Sequence, residues 1–464
     1  MNTRPPIVVV LGHVDHGKTT LLDAIRKTSV ASREAGGITQ AIGASVIETK
    51  DKKKITFIDT PGHAAFAKMR SRGAKVADIA ILVVAQDDGV QPQTKEALEI
   101  IREAALPFIV AGTKSDVAGV SADALKGQLE KEEVLFEGRG GDTTFISVSA
   151  KTGTGVNELI EMIVLVSEVA ELKGDAASAL EAAVIESGKE KMGPVATIVV
   201  RNGGIKTGDT IYTEDVECKV RALFDDKGKS IKEVLPGEPA RVIGFASVPP
   251  VGAVVTNTPG VAAAAVQKNK NVFDLRRLKD DEIPVIIKAS NAGALEAIIL
   301  ALPLKIIVVD SGVGEITTSD VINAKTGNAY IFSFESKIAS EVAKLAEAEK
   351  IKLAKFDIIY ELLQAIDEIL KGGKRQLLGK AEILASFPFN DKKVAGCRVA
   401  DGKITKGDIL ILMRDEKEVG RAKAQSLKKQ KTEVSVVGIG EEFGVILSPQ
   451  LDFTKGDVLV SVAK

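Results

Sequence analysis

The sequence predicts a multidomain α/β and β protein. It reads as a phosphate-loop α/β domain at 1–172, a β-barrel at 175–258, a small α/β domain at 283–356, a connecting helix at 357–373 and a C-terminal β-barrel at 376–464. Three observations predict this order. A G-x-x-x-x-G-K-[ST] loop lies between a strand-like and a helix-like run near the N-terminus, short alternating segments with Gly turns take over beyond Leu172, and strand and helix patterns alternate again after Ile283. A length of 464 residues fits three or four domains, and 45% hydrophobic with 27% charged residues is ordinary for a globular chain. Net charge is -1, so any polyanionic partner must be met by local basic patches. Cys218 and Cys397 lie far apart, which speaks for a reducing compartment and against a disulfide framework. The N-terminus has no signal-peptide character and no apolar run reaches the roughly 20 residues of a membrane span. The expected location is cytoplasmic.

The first element is "IVVVLGHVDHGKTT". Ile7 to Leu11 is a β-branched run suited to a buried parallel strand, and Leu21, Leu22 and Ile25 follow at helical spacing. Between them, glycines let backbone N–H groups wrap phosphates, Lys18 reaches the β/γ-phosphates and the Thr19 hydroxyl suits Mg²⁺. The expected nucleotide contacts along this loop are Gly12, Val14, Asp15, His16, Gly17, Lys18, Thr19 and Thr20. A second apolar strand, "ITFIDTPG", ends in Asp59, a carboxylate suited to Mg²⁺, and Gly62, whose N–H suits a γ-phosphate. "AGTKSD" and "SVSAK" each follow an apolar segment. Asp116 can accept both guanine N1–H and N2–H₂, which adenine cannot match. The Ala150 N–H can donate to guanine O6, and Lys114 and Lys151 would lie along the base. With Thr113 and Ser149 these form the guanine-specific part of a GTPase domain.

GHVDHGKT, GGIT, DTPGH, TKSD and SAK in this order resemble the translational GTPases. "REAGGITQAIGAS" and "DTPGHAAFAKMRSRGAKVADIAILVVAQDDGVQPQT" resemble, within them, the bacterial initiation-factor-two family, over essentially the whole chain from Ile7. The resemblance implies GTP/GDP and Mg²⁺ as ligands, with Thr19, Thr39 and Asp59 at the metal. It implies His63 as the residue that positions the attacking water, assisted catalytically by Lys18, Thr39 and Gly62, with Val14 and Ile38 fencing the histidine. The chain has three histidines, His13, His16 and His63. The first two are expected to pack or hydrogen-bond within the loop. Thr113 stands where the family usually has Asn. The family's long N-terminal extension is expected to be missing, because the first strand starts by Ile7.

Beyond Leu172, "GPVATIVV", "GIKTGDTIY", "PARVIGF" and "GAVVTN" read as short strands of a closed barrel. "NGGIKTGDTI" at 202–211 is echoed by "DGKITKGDIL" at 401–410, which suggests two barrels of related plan or a turn signature that recurs for its own utility. "IPVIIKAS", "LKIIVVDS", "AYIFSF" and "IKLAKFD" are strand-like, with helical patterns between them. Residues 357–372 carry an apolar face at 3.6 spacing and end in Gly372 and Gly373, so a helix is expected to join the third domain to the last barrel.

The family's terminal barrel holds the formylmethionyl end of initiator tRNA. Cys397, Lys428, Glu442 and Gly444 match its pocket, whereas Lys429 replaces an arginine, Gln430 an aromatic residue and Phe443 a second cysteine. Phe443 adds bulk that could narrow the cavity. From Lys380 onward there are 15 basic and 12 acidic residues, a balance of +3, with Lys423, Lys428, Lys429 and Lys431 clustered as tRNA phosphate contacts would need. "KDKKK" at 50–54 reads as a hairpin turn. The implied partners are both ribosomal subunits with their RNA, initiator tRNA and other initiation factors, but no membrane, and the chain is expected to act as a monomer. An elongation-type tRNA carrier and a ribosome assembly GTPase are the alternatives. The α/β third domain speaks against the carrier, which would place two barrels in succession. Hydrolysis indifferent to ribosomes would favour the assembly factor.

Overall fold

The computed structural model describes residues 2–29, 38–213, 216–259, 282–370, 377–389, 392–414, 417–429 and 432–462. They form two compact units, 1–363 and 364–464. Gly372, Gly373, Gln430 and Lys431 lie outside the described residues. Among the described residues no helix is long and apolar enough to cross a membrane.

The first domain is a six-stranded sheet. Its elements are β1 (Ile7–Gly12), α1 (Lys18–Arg26), β2 (Gly43–Glu48), β3 (Lys54–Asp59), α2 (Ala67–Val76), β4 (Ile79–Ala85), α3 (Pro92–Glu103), β5 (Phe108–Thr113), α4 (Ala122–Glu130), β6 (Thr144–Ser147) and α5 (Val156–Val169). Strand order is β2-β3-β1-β4-β5-β6, parallel except for β2. Because β1 is central and covered on both faces, every residue from Ile7 to Leu11 is fully buried, as the unbroken β-branched run demands. Leu21, Leu22 and Ile25 turn the apolar side of α1 onto that sheet. Residues 50–53 make the turn between β2 and β3.

Two barrels share one plan. The first uses β7 (Glu181–Glu190), β8 (Gly193–Asn202), β9 (Thr210–Tyr212), β10 (Glu217–Phe224), β11 (Pro239–Phe245) and β12 (Val254–Val255), in the order β9-β10-β11-β8-β7-β12. Tyr212 and Thr256 exchange N–H···O bonds of 2.8 and 2.9 Å that close it. Between the barrels, β13 (Ile283–Ala289), α6 (Ala292–Ala301), β14 (Ile306–Val313), α7 (Thr318–Gly327), β15 (Tyr330–Phe334), α8 (Ser340–Ala348) and β16 (Leu353–Phe356) form a parallel sheet in the order β14-β13-β15-β16. It is followed by α9 (Ile359–Leu370). The C-terminal unit has β17 (Leu377–Phe389), β18 (Lys392–Thr405), β19 (Ile409–Arg414), β20 (Lys417–Lys429), β21 (Glu442–Ser448) and β22 (Val458–Val462). Their order is β19-β20-β21-β18-β17-β22, with β22 pairing back to β19. The two strand orders coincide, so the echo at 202 and 401 reflects a repeated architecture.

The echo itself is a corner. Gly208 and Gly407 adopt φ of 98° and 95°, and each donates its N–H across the corner, to Val220 and Ala424. The Asp after each glycine accepts the N–H three residues earlier at 2.7 Å, from Lys206 and from Thr405. The corner recurs at Asp457, where Thr454 donates at 2.8 Å. Glycine is required because the backbone there is left-handed, and Asp because a short carboxylate satisfies the exposed N–H.

One buried pair fixes the strand that leads to the phosphate loop. Asp78 accepts two bonds from Arg4, at 2.6 and 2.7 Å, and a third from the Ile7 N–H at 2.9 Å. Both side chains are buried. Asp78→Ala would strand the Arg4 guanidinium, and we expect it to cost about 3 kcal/mol. The check is a lowered urea midpoint for the first unit, and an unchanged midpoint would contradict this.

Candidate functional site

The loop from β1 to α1 carries its shape in two left-handed residues, Asp15 at φ 61° and Gly17 at φ 81°. Gly17 caps α1 without a side-chain bond, so the first N–H groups of the helix face the loop's concave side. Gly12 is demanded by packing. A Cβ there would stand 2.2 Å from the Val83 carbonyl of β4. Lys18 folds back so that Nζ donates to the Gly12 and His13 carbonyls at 3.0 and 2.7 Å. Burial pushes its ammonium down to about 8, against the pull of Asp59.

Other segments hold the loop from outside. Gln93 accepts the Val14 N–H at 3.0 Å, and Thr113 donates its hydroxyl to the His16 carbonyl at 2.7 Å. The His16 ring is buried and pairs through Nε2 with Asp88 Oδ2 at 3.0 Å. Its side chain is thus spent on bracing the loop. Burial lowers its pKa against the raising effect of Asp88. His13 packs edge-on against it with centroids 5.0 Å apart.

A cavity of about 200 Å³ opens over the loop, lined by Val14, Asp15, Gly17, Lys18, Thr19 and Thr20 on one side and by Ile38, Thr39, Gly62, His63 and Tyr360 on the other. The Thr19 and Thr39 hydroxyls meet at 2.5 Å. Asp59, buried, ends β3 opposite Val10 of β1. Two hydroxyls and a carboxylate form the hard oxygen set that a small divalent cation takes, so the residues fit Mg²⁺. A Cβ on Gly62 would lie 2.6 Å from Lys18 Nζ, so any larger residue there would have to displace the ammonium from its loop carbonyls.

His63 Nδ1 accepts the Ala65 N–H at 3.0 Å, which leaves the proton of a neutral ring on Nε2. Burial, helped by the charge of Arg70, lowers its pKa, so the ring is neutral at physiological pH. Nε2 is thereby a hydrogen-bond donor. Arg70 is fully buried and donates to the His63 and Pro61 carbonyls at 2.6 and 3.0 Å, holding this loop against α2.

At the other side of the loop Asp116 accepts the Ser149 hydroxyl at 2.7 Å, which keeps its carboxyl below the usual range. Ser149 is buried, whereas Lys114 pairs with Asp87 at 3.2 Å. Ala150 and Lys151 follow Ser149 in the turn that leads to α5. Thr113, where an Asn was expected, supplies the bond between this motif and the phosphate loop.

In the C-terminal unit a cavity of about 740 Å³ is lined by six of the seven pocket positions singled out there, Cys397, Lys428, Lys429, Glu442, Phe443 and Gly444; the seventh, Gln430, lies outside the described residues. Register explains the convergence, because Cys397 lies opposite Phe443 and Lys428 opposite Gly444. Phe443 is a buried part of the cavity wall. Lys429 is held by Glu441 at 2.6 Å, and Glu442 by Arg398 at 2.5 and 3.2 Å. Burial pushes the Cys397 thiol up to about 12, so it acts as an apolar wall.

Three site residues escaped the sequence reading. Tyr360, at the start of α9, stands edge-on to the His63 ring with centroids 4.1 Å apart. Gln40 bonds residues far along the chain, and Phe387, exposed, sits on the rim of the C-terminal cavity. No local spacing signals such contacts.

Residues 3–168 match the family model for the elongation factor Tu GTP binding domain, 179–258 that for elongation factor G domain 2 and 261–367 that for translation-initiation factor 2. The chain is 42% identical to translation initiation factor IF-2 of Persephonella marina over 98% of its own length and 55% of that protein. The Aquifex aeolicus factor gives 39%, with 98% and 61% covered. The chain therefore spans little more than half the length of these two relatives. The crystal structure of GDP-bound aIF5B from Aeropyrum pernix is similar with a TM-score of 0.50 and 27% identity, over 99% of this chain and 92% of that one. Translation initiation factor IF-2 of Dehalococcoides mccartyi is 40% identical over 98% of this chain, which spans 82% of it. On this evidence the chain belongs to the translation initiation factor IF-2 family.

Proposed function

We propose that this chain is a translation initiation GTPase. It positions formylmethionyl initiator tRNA on the small ribosomal subunit, promotes subunit joining and hydrolyses GTP to GDP and phosphate under ribosome stimulation. It works as a monomer in the cytoplasm. The observation that carries the reading is the meeting of the Thr19 and Thr39 hydroxyls beside Gly62 and His63 over the phosphate loop. The loop N–H groups and Lys18 bind the phosphates, and Asp116, Ser149, Ala150 and Lys151 read guanine. Thr19, Thr39 and Asp59 hold Mg²⁺, which when bound neutralises charge on the β- and γ-phosphates. Thr39 and Gly62 are held only while the γ-phosphate is present, which makes the site a switch. With its proton on Nε2, His63 orients the attacking water by donation, and Val14 and Ile38 fence its approach.

The C-terminal cavity takes the acylated end of the tRNA. Its apolar wall, Phe443 and Cys397 among others, admits the uncharged formylated amine at lower desolvation cost than a free ammonium. Lys428 and Lys429 serve the neighbouring phosphates.

The test is GTP turnover with and without 70S ribosomes, with binding of formylated and unformylated initiator tRNA as a second arm. Ribosomes should accelerate turnover by about 10³- to 10⁵-fold, and His63→Ala should remove about 10²-fold or more of it while GTP still binds. Formylated tRNA should bind more tightly. Turnover indifferent to ribosomes would move the assembly-factor reading to the front.

Lys18 adds a pH signature. Polyphosphate charge against the ammonium raises a value that burial has pushed down to about 8. Binding therefore takes up a proton above about pH 8, and affinity, fully present below that, falls as pH rises through it. Calorimetry at about pH 8.5 in buffers of different ionisation enthalpy should register this uptake, and identical heats would contradict it.

A further inference from the structure

Gln40 follows Thr39 directly and is buried. Its side-chain amide makes three hydrogen bonds. Nε2 donates to Glu335 Oε1 at 2.9 Å and to the Asp357 carbonyl at 2.8 Å, and Oε1 accepts the Ile359 N–H at 3.1 Å. The partners stand 295 to 319 residues further along the chain. Ile359 is the first residue of α9, and helix starts carry N–H groups with no partner inside the helix. Gln40 therefore caps α9 from another domain. The next residue, Tyr360, lines the nucleotide cavity and stands against His63. The segment 357–360 thus touches the residue beside Thr39 through two members, Asp357 and Ile359, and the water-positioning histidine through a third, Tyr360.

We propose that Gln40 is a positioning residue for GTP hydrolysis, fastening Thr39 to the third domain and to the start of α9 so that the γ-phosphate form of the first switch is stabilised from there. This rests on the nucleotide reading above. An amide offers two donor hydrogens and two acceptor lone pairs, and Gln40 commits three of these four positions to groups of the third domain and α9. When Thr39 leaves the nucleotide, Gln40 leaves with it. The Asp357 carbonyl and the Ile359 N–H must then be satisfied by water, and the Glu335 carboxylate, which also accepts from the Ser290 hydroxyl, loses one of its bonds. A bond to a charged group is the strongest of such losses, and it falls on the state in which Thr39 is ordered. GTP binding should sense it, and GDP binding should not.

The test uses the full chain and a non-hydrolysable GTP analogue beside GDP. Gln40→Ala should weaken the analogue roughly tenfold or more and leave GDP unchanged, a split that general loss of structure would not produce. Gln40→Glu sets a second carboxylate against Glu335 and should weaken the analogue at least as much, and adding Glu335→Gln should recover part of that loss. Equal weakening of both nucleotides, an unchanged analogue affinity or no recovery in the double variant would overturn the proposal. A wild-type chain that binds neither nucleotide would instead overturn the nucleotide reading on which the proposal rests.

Discussion

A polar loop at the end of a buried strand must find partners for its backbone without filling the space that a phosphate needs. The rest of the first domain follows from that constraint. β1 brings five fully buried residues to Gly12, and the chain then turns through Asp15 and Gly17 in left-handed conformations. Side chains from elsewhere take the groups that face outward, Gln93 for the Val14 N–H and Thr113 for the His16 carbonyl. The N–H groups that face inward keep no side-chain cap. Lys18, pinned on two loop carbonyls, pays for its burial with a lowered pKa.

The same economy governs the second half of the site. Arg70 holds the two carbonyls flanking Gly62 and so keeps Gly62 close to Lys18, where a Cβ would press on the ammonium. His63 is then presented with a defined tautomer, and its ring is backed by Tyr360 from α9. The nucleotide cavity is thus a product of three segments, the phosphate loop, residues 38–63 and the start of α9. In the C-terminal barrel, strand register alone gathers Cys397, Phe443, Lys428 and Gly444 around one cavity.

Much of this was legible in the residues. The strand, loop and helix around Lys18 are a local pattern, and the chemistry of glycine, lysine and threonine at those spacings admits few other uses. The barrels were legible through their corners, since a Gly-Asp pair after a short strand satisfies both a left-handed turn and an exposed N–H. Long-range contacts were not. The 3.6 spacing at 357–370 identifies an amphipathic helix but is silent on its neighbours, so Tyr360 read as part of a connector. Gln40 offered no signal, because its three partners lie about 300 residues away. The bond of the His16 ring to Asp88 was not legible either, since a motif position predicts backbone geometry and not where a ring points.

The central claim is that the nucleotide site is completed by the start of α9 and not by the first domain alone. Hydrogen–deuterium exchange at the amides of Ile359 to Leu363 in the full chain tests it most directly. With a non-hydrolysable GTP analogue bound these amides should exchange more slowly than with GDP bound, because Gln40 then caps the Ile359 N–H and Tyr360 is held against His63. Exchange that is the same in both nucleotide states would contradict the account.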